Sequence, residues 1–70
     1  MQLTNRQRVF LETLFDVYHS RRRQPVHYTA LARALGVANT TAYEMLRLLE
    51  QKGTRAVASM MQKIYVGPGR

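Results

Sequence analysis

Residues 30–53 read ALARALGVANTTAYEMLRLLEQKG, and this stretch constrains the fold more than any other. Leu31, Ala32 and Leu35 recur at helical spacing. Gly36 follows, where a turn needs a residue that takes a positive φ at little cost. Val37 carries an apolar side chain back toward the core. A second helical period starts at about Asn39 or Thr40 and runs to Lys52, and Gly53 closes it. The pattern predicts two short helices meeting at a steep angle, with the small Ala32 where they approach closely. The second helix is left partly uncovered.

Along that second helix, Ala42, Met45, Leu46 and Leu49 share one face. Thr40, Tyr43, Glu44, Arg47 and Gln51 share the opposite face, which holds no aliphatic residue and is expected to point outward. Leu48 lies on the flank beside Thr41. Asn39 is the expected N-cap, because its side chain can accept from the first unpaired N–H groups.

Upstream, Thr4-Asn5-Arg6-Gln7 fits a capping box. Phe10, Leu11, Leu14, Phe15, Val17 and Tyr18 then form a core-facing stripe, which predicts a first helix over about 5–20. Arg21, Arg22 and Arg23 follow at its C-terminal end, where cations oppose the helix dipole. Gln24-Pro25 stops the helix, and Val26-His27 reads as a short extended piece leading into a helix from about Tyr28 or Thr29 to Leu35.

Downstream of Gly53 the texture changes. Arg55-Ala-Val-Ala-Ser59 and Lys63-Ile-Tyr-Val66 are β-inclined, with Met60-Met61-Gln62 between them. This predicts a β-hairpin over about 54–66, with Met60 and Met61 at its tip and one of them tucked inward. One domain is expected over 1–66, with 67–70 (Gly-Pro-Gly-Arg) as a tail or the start of a linker.

The chain carries 11 Lys and Arg against 4 Asp and Glu, a formal charge of +7 in 8.1 kDa. Such a field favours polyanionic partners. Nine of the eleven cations are Arg, which suits phosphate forks and guanine edges better than Lys does. With no cysteine, disulfides and thiolate metal sites are excluded. No apolar run approaches a membrane span and no secretory signal opens the chain, so no membrane partner and a cytoplasmic location are expected. His19 and His27 lack a convergent carboxylate, and Glu12, Asp16, Glu44 and Glu50 are scattered. No catalytic set, no metal site and no cofactor is expected, and the chain is read as a non-enzyme.

Leu31-Ala32-x-x-Leu35-Gly36-Val37, Thr40-Thr41, Leu46-x-x-Leu49-x-x-Lys52-Gly53 and the closing Ile64-Tyr65-Val66 resemble the winged helix-turn-helix DNA-binding domains of prokaryotic transcription regulators of the MarR and LexA types. Leu3-Thr4-x-Arg6-Gln7 is similar to the opening of the LexA type. The resemblance spans about residues 3–66. Two positions depart from it: Thr54 stands where the family has an apolar residue, and Ala38 where it often has Ser.

The resemblance implies a mainly α fold of three helices with a small β-hairpin wing. It implies that the helix over about 39–52 enters the major groove of double-stranded DNA while the wing over about 54–66 lies on the flanking backbone. Arg47 is the expected guanine reader, through two hydrogen bonds. Asn39 and Thr40 would meet bases or phosphates, and Tyr43 a sugar or a thymine methyl. Glu44 would accept from a cytosine amino group or hold Arg47 in place. Thr29 and Thr41 are expected on phosphates, and Arg55 and Lys63, one on each wing strand, on backbone or minor groove. The triple Arg either reaches phosphates or is a solvated loop. Dimerisation is expected through a domain further downstream. The alternative function is a winged-helix protein-interaction module, with Met60, Met61, Leu48 and Tyr43 as its contact set.

Overall fold

The computed structural model describes residues 3–65. The element order is α1 (Asn5–Ser20), β1 (Val26–His27), α2 (Tyr28–Leu35), α3 (Asn39–Glu50), α4 (Arg55–Met61) and β2 (Ile64–Tyr65). The expected mainly helical architecture is present, and its three expected helices fall close to the expected bounds.

Helix α1 begins with both halves of the capping box. Gln7 N–H donates to Thr4 Oγ1 at 3.1 Å, and Thr4 N–H donates to Gln7 Oε1 at 3.0 Å. The helix ends in an unusual turn. Arg22 and Arg23 both take left-handed backbone angles, at φ 58° and 62°. Arg23 N–H donates to the Tyr18 carbonyl at 2.8 Å and Arg22 N–H to that of His19 at 3.2 Å, so the strained turn satisfies the helix's last carbonyls. Two consecutive left-handed residues other than Gly cost roughly 1–2 kcal/mol each.

His27 caps α2. Its Nδ1 accepts from Thr29 N–H at 3.3 Å and lies 2.8 Å from Thr29 Oγ1. An accepting Nδ1 assigns the proton of the neutral ring to Nε2, which is buried and makes no hydrogen bond among the described residues. Gly36 ends α2 in the left-handed region at φ 74°, and its N–H closes onto the Ala32 and Arg33 carbonyls.

One core joins all six elements. Phe10, Leu11 and Leu14 of α1 meet Leu31 and Ala32 of α2, Ala42, Leu46 and Leu49 of α3, Val57 and Met60 of α4, and Val26 and Ile64 of the strands. Phe15, Val17, Tyr18, Leu35, Val37 and Met45 pack partly buried around it. Each large aliphatic or aromatic side chain taken from water in this way contributes roughly 1.5–3 kcal/mol.

The region after Gly53 departs from expectation. No hairpin forms among the described residues. Arg55–Met61 is a helix, and Ile64–Tyr65 pairs parallel with Val26–His27 in the register Val26↔Ile64, His27↔Tyr65. The physical reason lies in two features. Thr54 Oγ1 accepts from Val57 N–H at 3.2 Å, an N-cap that starts a helix. Val57 and Met60 then fall at helical spacing and are both buried. Ala56, Ala58, Met60 and Met61 are good helix formers. The alternation in 55–59 is therefore the surface and core sides of one helical turn. Met60 and Met61 are the last residues of α4, not a wing tip: Met60 is fully buried and Met61 exposed. Val66, the expected last residue of the hairpin, and the tail expected over 67–70 lie outside the described residues.

Candidate nucleic-acid interface

Helix α3 presents the face expected of it. Thr40, Tyr43, Glu44, Arg47 and Gln51 are all exposed, while Ala42, Leu46 and Leu49 opposite them are buried. Tyr43 is 38% exposed and the Arg47 side chain 59%, so neither is covered by the chain's own atoms.

Arg47 is held rather than free. Its Nη1 donates to the Tyr43 hydroxyl at 3.2 Å, one turn back, and its guanidinium carbon lies 5.9 Å from the centroid of the Tyr43 ring. Its Nε is 3.6 Å from Glu50 Oε1, one turn ahead. The hydrogen bond to Tyr43, followed by the charges of Tyr43 and Glu50, raises the guanidinium above its ordinary pKa. It stays cationic throughout the neutral range. Of the two roles open to Glu44, holding Arg47 falls instead to Glu50. Glu44 lies in an open cleft against the start of α1, lined also by Thr4, Arg6, Gln7, Thr41, Met45 and Leu48.

The start of α3 differs from expectation. The N-cap is Ala38, with extended angles and no side-chain hydrogen bond, and Asn39 is the first helical residue. Asn39 has already taken helical angles, so its side chain is no longer placed to cap. The cap residue supplies no side-chain acceptor to the first turn, and Asn39 and Thr40 stand exposed beside it. A helix start of this kind favours anions, since its N–H groups and the dipole point the same way.

The remaining expected contacts divide. Thr29 is half-buried, with its hydroxyl on His27 Nδ1. Thr41 is half-buried and faces the cleft toward α1. Arg55 is exposed, but as the first residue of α4 rather than on a strand. It places a cation at the positive end of a helix dipole, which is locally unfavourable. Lys63 is not on a wing strand either. It sits in the turn before β2, where its Nζ donates to Ser59 Oγ at 2.9 Å and lies 5.7 Å and 5.4 Å from the Phe15 and Tyr18 ring centroids. Its ammonium is engaged inside the fold, tying α4 and β2 to α1.

Charge is distributed in a telling way. Within Asn39–Glu50, Arg47 is the one cation against Glu44 and Glu50. The positive excess lies on the other elements: Arg6 and Arg8 at the start of α1, Arg21 to Arg23 after it, Arg33 on α2 and Arg55 on α4, all exposed. Glu50, Tyr28, His27 and Tyr65 carry no binding role in the sequence reading. Glu50 is legible at three residues from Arg47, whereas the Tyr65 contact depends on strand pairing and the Tyr28 contact on how α2 packs against α3.

Among the described residues, no group of three or more His, Asp or Glu converges to hold a metal ion, and no helix is long and apolar enough to cross a membrane. No protein-family model, curated protein or solved structure matches the chain.

Proposed function

We propose that the chain binds double-stranded DNA sequence-specifically, with α3 in the major groove, as the DNA-binding part of a transcription regulator. The observation that carries this reading is the braced Arg47. A guanidinium fixed between Tyr43 and Glu50 on an exposed, non-aliphatic helix face has lost much of its rotamer freedom before it meets a guanine edge. The arrangement of charge supports the same division of labour. Base contacts come from α3, whose own charge is nearly balanced, and phosphate contacts come from the exposed arginines of the other elements. The uncapped start of α3 and the exposed Arg55 at the start of α4 would each gain from a nearby phosphate. Without a hairpin wing, the flanking backbone contact passes to Arg55 and the Arg21–Arg23 turn. Lys63 leaves the contact set.

The test is a titration of labelled duplexes, one selected from a random pool and one random, over a range of salt. Binding to both should fall with salt, by about 0.9 log units per log unit of salt for each phosphate contact. The selected duplex should retain an advantage that Arg47→Ala removes. Loss of affinity in Arg47→Ala that is equal for both duplexes defeats the readout role, and absence of binding at low salt defeats the DNA reading.

A protein-interaction module is the second reading, and one observation favours it. Leu48 (55% exposed) borders the cleft between α1 and α3, and Val9 and Met45 line the adjoining one. Its contact set would be Leu48, Val9 and Met61, since Met60 is buried.

A further inference from the structure

The outward face of α3 does not stop at Tyr43. Rings from three other elements continue it in an unbroken row. Tyr65 of β2 meets His27 of β1 edge-on, with centroids 4.9 Å apart. His27 lies 4.9 Å from Tyr28 of α2 at an interplanar angle of 31°, and Tyr28 lies 5.6 Å from Tyr43 of α3. Arg47 closes the row over the Tyr43 ring. The parallel register that pairs His27 with Tyr65 sets the first contact, and the start of α2 directly after His27 sets the second. Both ends of the row reach solvent: Tyr43 is 38% exposed and Tyr65 50%.

Three properties define what such a surface would bind. The rings hold one another in place, so little side-chain freedom is lost when a ligand settles on them. The four rings carry no charge of their own and the row ends on the Arg47 guanidinium, itself paired with Glu50, in a chain of formal charge +7. It therefore suits a polyanion that also carries flat, apolar ring faces. Duplex DNA offers only base edges in its grooves, because the faces are already stacked on each other. Unpaired nucleotides offer the faces themselves, and tyrosine rings beside cations are the side chains that take them.

We propose that the Tyr65–His27–Tyr28–Tyr43 row binds unpaired bases next to a duplex. The preferred target is then double-stranded DNA with an adjoining single-stranded or opened segment. The duplex half of this proposal rests on the reading of α3 given above; the row itself does not.

The experiment compares a blunt duplex, a duplex of the same total phosphate count with an overhang of about four nucleotides, and a single strand. Binding is read by anisotropy, and stacking by quenching of tyrosine emission, which no tryptophan obscures. The overhang duplex should bind at least about five-fold more tightly than the blunt one, the lower end of what one stacked base contributes. Tyr65→Phe should keep that gain, and Tyr65→Leu should abolish it while leaving blunt-duplex affinity unchanged. Equal affinity for blunt and overhang duplexes, or a gain that survives Tyr65→Leu, overturns the proposal while α3 binding to duplex stands. Single-strand binding that needs Tyr65, with no blunt-duplex binding, supports the row and removes the duplex reading. If Tyr65→Leu does not fold, the wild-type comparison of the blunt and overhang duplexes decides alone.

Discussion

Arg47 reaches back one turn along α3 and donates to the hydroxyl of Tyr43 at 3.2 Å. The bond links the one cation of the helix to an aromatic ring that itself rests on Tyr28. Removing the hydroxyl alone separates its positioning effect from the ring. Tyr43→Phe should therefore leave thermal stability unchanged and reduce discrimination at one base position. Arg47→Ala should cost about 1–3 kcal/mol of that discrimination. Affinities for a selected duplex and its single-base variants measure both. Full discrimination in Tyr43→Phe would mean that Glu50 alone positions the guanidinium.

Helix α4 can be tested against the hairpin it replaces. Ala58 is exposed, and its N–H donates to the Thr54 carbonyl at 3.0 Å inside the helix. Ala58→Pro should destabilise the fold by about 3 kcal/mol in urea unfolding. Thr54→Ala should cost about 1 kcal/mol, and Thr54→Asp should largely restore it.

The left-handed pair Arg22 and Arg23 sets stability against charge. Glycine at either position removes the steric cost of the conformation, so Arg22→Gly should stabilise the fold by about 1 kcal/mol. If the turn meets DNA phosphates, the same change should lower duplex affinity for every sequence alike and flatten the salt dependence by about one contact. Calorimetry and salt titration of the same variant report the two effects separately.

Lys63 should behave as part of the fold. Its ammonium lies over Phe15 and Tyr18 and bonds Ser59. Lys63→Ala should lower stability by about 1 kcal/mol, the sum expected of a cation–ring contact and lost stem packing, and leave the salt slope of DNA binding untouched. A slope reduced by about one contact would return Lys63 to the interface.

Much of the helical framework was legible in the sequence, because its signals are local. The Thr4–Gln7 box, the stripe from Phe10 to Leu14 and the Gly36 turn each lie within a few residues. The outward face of α3 followed from period alone. The hairpin expectation failed because 55–59 alternates like a strand over five residues, while the helical spacing of Val57 and Met60 from the Thr54 cap needs a longer window to show. Thr54, read as a departure from the winged pattern, was the helix cap itself. The shift of the α3 cap from Asn39 to Ala38 is a one-residue difference that no spacing resolves. The aromatic row depends on His27 meeting Tyr65, a pairing between distant segments that local spacing does not disclose.

The two-residue strands also govern how the chain gets home. Val26 and Ile64 are about 40 positions apart, yet they must sit side by side for the sheet to exist. The intervening three helices thus form a single large loop that is sealed only when the last described residues dock. A bundle of helices alone would assemble through near neighbours. Here the final clasp is a remote encounter, which slows folding and makes the C-terminal segment the natural place for the first opening.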